Sequence, residues 1–85
     1  MKFRKKPVVI DAMLFDGTYE SAYRIIKEFQ MNSATYMATT RKLEIATIEG
    51  FITASEGDWV IQGVQKEHYP CRADIFDKTY ERVLP

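Results

Sequence analysis

The segment from residue 49 to residue 80 constrains this chain more than any other, because turn signals recur in it every few residues. Glu49-Gly50, Glu56-Gly57-Asp58 and the stretch 63–66 each interrupt the backbone. Between them lie short strands at 51–54, 59–62 and 67–69. A two-residue turn ending in glycine suits a tight hairpin, although Glu49 is a poor first residue for one. Pro70 is expected to stop regular ladder pairing. Residues 73–78 then read as one or two helical turns, with Asp74 as cap or first-turn acid, and 79–84 as a closing strand. So many turn signals in so short a stretch point to a compact, well-specified domain.

Earlier in the chain the periods change. Residues 7–15 (PVVIDAMLF) are apolar on both faces but for Asp11, which suggests a central strand. Asp16-Gly17 ends that run, and Thr18 is placed to cap a helix over 19–31, with Glu20 near its positive end. Tyr19, Ala22, Tyr23, Ile26 and Phe29 fall at steps of three and four, so Tyr19, Tyr23 and Phe29 are expected in the core. From residue 35 the period is two: 35–39 is a short strand, and 42–48 sets Leu43, Ile45 and Thr47 against Lys42, Glu44 and Ala46. The fold class this order predicts is α+β, a single domain over 1–85 with one main helix on a curved, mainly antiparallel sheet and a short C-terminal helical turn.

Composition narrows the function classes. With 46% hydrophobic and 13% aromatic residues there is enough material for one real core. A domain of this size buries only about 60–65% of its unfolded surface, so a homodimer that hides more apolar area is a natural expectation. Twelve basic and twelve acidic side chains cancel, which argues against nucleic acid as a partner. The one local surplus, Lys2-Phe3-Arg4-Lys5-Lys6, reads as a solvated arm, with contact to phosphates or an anionic surface as the alternative. The short apolar run 8–10 does not read as a secretory signal, and nothing approaches a membrane span. A single cysteine leaves no internal disulfide framework, so the reducing interior of a cell, the cytoplasm, is the expected compartment.

Few residues suggest chemistry. His68-x-x-Cys71, with Glu67 and Asp74 nearby, falls short of the four ligands of a structural zinc site and lacks the third group of a Cys/His nucleophile pair. No metal or other cofactor is expected. Trp59, after Gly57-Asp58, sits either at a pocket rim as a partner anchor or at the centre of the core. Tyr69, Arg72 and Asp74 bracket the Pro70 bend, where they either grip a small polar ligand or a partner's loop, or solvate the short helix. No phosphate-cradling glycine loop and no Gly-x-Ser-x-Gly elbow is present, and an enzyme is not expected.

The residues now placed resemble a widespread family of small, functionally uncharacterised proteins of bacteriophages and prophages. The likeness runs through Phe3-Arg4-Lys5-Lys6-Pro7-Val8-Val9-Ile10-Asp11-Ala12, Glu49-Gly50, Thr53-Ala54-Ser55 and Gly57-Asp58-Trp59-Val60-Ile61. It continues in Gly63-Val64, Tyr69-Pro70-Cys71, Asp74-Ile75-Phe76 and Thr79-Tyr80-Glu81. This chain departs from that pattern at Glu56, where relatives often carry proline, and at Lys66, where they tend to carry glycine. The resemblance brings no catalytic residues. It implies a phage accessory protein that acts by binding a host protein. The alternatives are a binder of a nucleotide-like small molecule, using Trp59, His68, Tyr69, Arg72 and Asp74, and a minor component of the virion.

Overall fold

The structure, a computed structural model, describes residues 1–4 and 6–83. The element order is β1 (Asp11–Leu14), α1 (Tyr19–Glu28), β2 (Ala34–Met37), β3 (Lys42–Thr47), β4 (Gly50–Ala54), β5 (Trp59–Gln62), β6 (His68–Cys71) and α2 (Ala73–Thr79). The class is α+β. The strands form two antiparallel sheets of three, not one: β1-β5-β6 and β2-β3-β4.

Helix α1 begins where the sequence predicts. Thr18 is extended and its Oγ1 accepts from the Ser21 N–H at 3.1 Å, with Glu20 in the first turn. Asp16 prepares the cap by accepting at Oδ1 from both the Thr18 N–H and the Thr18 hydroxyl. The helix ends earlier than expected, in a Schellman turn: the Met31 N–H donates to Ile26 C=O and the Gln30 N–H to Lys27 C=O. Gln30 takes the left-handed position at φ 51°, where glycine is usual.

The stripe that α1 buries is rotated from the expected one. Ser21, Ala22, Ile25 and Phe29 are buried, whereas Tyr19 and Tyr23 are 61% and 55% exposed. Ser21 sets this rotation. Its hydroxyl accepts from the Asp16 N–H and donates to Leu14 C=O, which holds the first turn against the end of β1. Of the three aromatic residues expected in the core, only Phe29 is there. Tyr19 and Tyr23 stack on each other at 6.2 Å outside it.

The main core lies between the sheets and α1. Phe15, Ile25, Phe29, Leu43, Ile45 and Val60 pack together, with Met13, Tyr36 and Ile52 at its margin. Pairing of Leu43 with Ala54 and of Ile45 with Ile52 aligns the inward face of sheet β2-β3-β4. Each large apolar side chain enclosed there contributes about 1.5–3 kcal/mol.

Three further expectations are corrected. β1 is an edge strand, not a central one, and Val8 and Val9 before it are exposed. The hairpin after β3 turns at Ile48-Glu49, one residue early, because Gly50 already pairs with Thr47. Residues 79–83 form no strand: Thr79 ends α2 and the rest is irregular, while Leu84 lies outside the described residues.

Pro70 does not end its strand either. It stands opposite Val60, and pairing runs on to Cys71 with Trp59. The Gly63 N–H donates to Glu67 C=O, so the odd-numbered residues of β6 turn their amides towards β5 and the amide that Pro70 lacks would have pointed outward.

Candidate functional site

The register of β5 and β6 decides how the candidate residues are grouped. Trp59 pairs with Cys71 and Ile61 with Tyr69, while Val60 pairs with Pro70 and Gln62 with His68. Side chains alternate along a strand, so Trp59, Ile61, Tyr69 and Cys71 share one face. His68 lies on the other, the face that Val60 gives to the main core. The five candidates therefore do not form one constellation.

On the first face α2 lies over the sheet. The indole of Trp59 stacks on Phe76 with centroids 4.6 Å apart and planes 11° apart, and Phe76 meets Tyr80 at 5.0 Å. Trp59 is half-buried by this contact, between the two alternatives of rim and core. Ile61 beneath it is fully buried yet outside the main core cluster, so this face has a small apolar layer of its own. Burial, and after it a hydrogen bond with Tyr80, pushes the Tyr69 phenol up to about 12.

Beside the stack runs a groove of about 640 Å³ between the strand segment 8–12 and the chain leaving α2. Val8, Ile10, Trp59, Phe76, Tyr80 and Val83 supply apolar walls, and Asp77, Glu81 and Arg82 add charge. Val8 and Val83 are 49% and 69% exposed. The sequence pairs neither with Trp59: they come together only because β1 crosses the chain to meet β5.

Arg72 and Asp74 pair with each other. The Arg72 guanidinium donates to Asp74 Oδ2 at 2.8 Å, both side chains mostly exposed, and Arg72 occupies the α2 N-cap without a capping side chain. Cys71 donates weakly from Sγ to Arg72 C=O at 3.6 Å. Burial, then the Asp58 and Asp74 carboxylates, push its thiol up, so it stays protonated and is a poor nucleophile. One face of Trp59 is thus stacked on Phe76, and Arg72 is paired with Asp74.

On the opposite face His68 stacks on Phe29 at 5.6 Å and 20°, and Nε2 lies 3.0 Å from Gln62 Oε1. Burial pushes the imidazole below its ordinary 6.5, against a smaller upward pull from Glu67, so the ring is neutral at pH 7. It borders a polar hollow at the end of α1 with Gln30, Asn32, Ser33, Gln62 and Lys66. Sequence reading missed that hollow, which two left-handed residues, Gln30 and Lys66, help to line.

Among the described residues no group of three or more His, Cys, Asp or Glu side chains is placed to hold a metal ion. No helix there is long and apolar enough to cross a membrane. No protein family, no curated protein and no solved structure matches the chain in comparison.

Proposed function

We propose that this chain is a phage- or prophage-encoded accessory protein that binds a host protein in the host cytoplasm without catalysis. The observation that carries this reading is the groove of Val8, Trp59, Phe76, Tyr80 and Val83, an apolar strip with a charged rim. Such strips with an aromatic anchor are where proteins dock, because a half-exposed ring releases water along its free edge at little entropic cost. A paired Arg72–Asp74, a protonated Cys71 and a neutral His68 on the far face give no converging set of reactive groups, which favours binding over chemistry.

Capture from bacterial lysate by the wild-type chain and by Val83→Asp tests it, followed by titration against the purified captured protein. Val83 is exposed, so the variant keeps its fold. A one-to-one complex that the variant weakens by about tenfold or more supports the proposal. A captured protein bound equally well by both chains, or no specific capture, overturns it.

A further inference from the structure

The outer edge of β1 points to a partner of defined chemistry: an identical strand. The Phe15 N–H donates to Asp58 C=O, and Phe15 C=O accepts from the Gly57 N–H. Phe15 therefore turns its backbone towards β5, and by alternation so do Met13 and Asp11. Ala12 and Ile10 turn theirs away from the sheet. At the far end Leu14 C=O is taken by Ser21, which leaves Ala12 and Ile10 as the residues whose backbone groups turn outward.

The other sheet edges have neighbours. β6 carries Pro70 and runs beside β4, and α1 packs against β2. The β1 edge combines outward-turned backbone groups at Ile10 and Ala12 with β-branched side chains at Val8, Val9 and Ile10.

Surface area gives an independent reason to expect a cover. A compact monomer of this mass exposes about 5,200 Å². This chain of 9.9 kDa exposes 7004 Å². The excess, about 1,800 Å², exceeds the roughly 800 Å² that each partner contributes to a standard interface. Residues 1–4 and 6–9 are all exposed, so the segment leading into β1 is a large part of what is uncovered.

We infer that two copies of the chain pair antiparallel through residues 8–12 about a twofold axis at Ile10, joining their three-stranded sheets into one of six strands. This register sets Val8 opposite the second copy's Ala12. It also sets Arg4 of each copy opposite the second copy's Asp16, with Lys2 and Lys6 to either side. Opposite ends of the strand thus carry opposite charge, which is what a self-complementary antiparallel seam requires. Centring the axis on Asp11 instead would set two carboxylates face to face. An extended peptide from another protein could use the same backbone groups, but only a second copy brings this basic arm to this acidic end.

Sedimentation over a micromolar concentration series, with wild type, Ile10→Pro and Ile10→Cys in a Cys71→Ser background, is the test. The seam requires a wild-type dimer, a dissociation constant raised about tenfold or more in Ile10→Pro, and a disulfide between copies on mild oxidation of Ile10→Cys. Circular dichroism of Ile10→Pro checks that the monomer stays folded, as expected for a residue outside β1 whose amide points outward. A wild-type monomer throughout, a dimer unmoved by the proline, or an Ile10→Cys dimer that does not cross-link on oxidation each overturns the inference. Loss of host-protein capture would leave these outcomes unchanged.

Discussion

Gln30, Arg41 and Lys66 hold left-handed backbone at φ 51°, 56° and 64°, a region glycine enters more easily than any residue with a Cβ. Lys66 is the clearest case. Its N–H donates to Gly63 C=O and the Gly63 N–H to Glu67 C=O, the pattern of a type I turn followed by a bulge whose last position favours glycine. Lys66→Gly should therefore stabilise the fold by about 1 kcal/mol, a rise of roughly 4–8 °C in melting temperature. Glu56 sits at the second position of a turn closed by the Asp58 N–H on Ser55 C=O, with Gly57 at φ 92°. Proline suits that position, so Glu56→Pro should add about 0.4–1 kcal/mol, losing only the exposed contact to Arg41 at 3.5 Å. Gly17→Ala should act in the opposite sense. At φ 86° an added Cβ would stand 2.8 Å from Glu56 Oε1, so a loss of about 1–2 kcal/mol is expected in thermal melts. These turns were legible as turns from their glycines and polar runs. The left-handed residues were not, since nothing in Gln, Arg or Lys signals φ above zero.

At the scale of elements, alternation along β5 and β6 separates His68 from Trp59 and Tyr69. That separation was available in the sequence, because neighbouring residues of a strand face opposite ways. The bend expected at Pro70 hid only that Cys71 keeps the same alternation, since a broken strand has no fixed faces. Helix α1 shows the reverse difficulty: its period was plain, but two adjacent stripes fit it, and the Ser21 hydroxyl chose between them. The layer under α2 yields two predictions. Ile61→Ala should cost about 2–5 kcal/mol, because the side chain is fully enclosed. Trp59→Ala should cost less than the roughly 3–5 kcal/mol of a buried ring, since the indole is covered on one side by Phe76; urea melts of both variants decide the order. Acid and alkali probe the two faces separately. Tyr69 titrates near 12 when folded but near its ordinary 10 when unfolded, so its contribution is complete below pH 10 and fades between 10 and 12. His68 is depressed below 6.5, so its contribution is complete above 6.5 and is lost as pH falls. Melting temperatures of Tyr69→Phe and His68→Gln should flatten the alkaline and acid limbs respectively.

For the whole molecule, the sequence led to the α+β class and to most of the strands, but not to the division into two sheets. Strand boundaries are local, and turn residues mark them. Which strand pairs with which depends on contacts far apart in the chain. The paired residues Leu14 and Trp59 are 45 positions apart. The apolar groove was illegible for the same reason, because Val8, Phe76 and Val83 meet only after that pairing. The radius of gyration, 13.6 Å, exceeds the roughly 12 Å of a compact chain of this length, in keeping with an uncovered segment before β1. The crossing also sets a clock. Strands β2, β3 and β4 follow one another through short loops and close on neighbours, whereas β1 must wait, unpaired, until β5 has been reached. Long loops close late, so the meander should gain protection from hydrogen exchange first and the β1–β5 ladder last in pulse-labelled refolding. During synthesis the same delay leaves an apolar strand bare while more than forty residues emerge behind it.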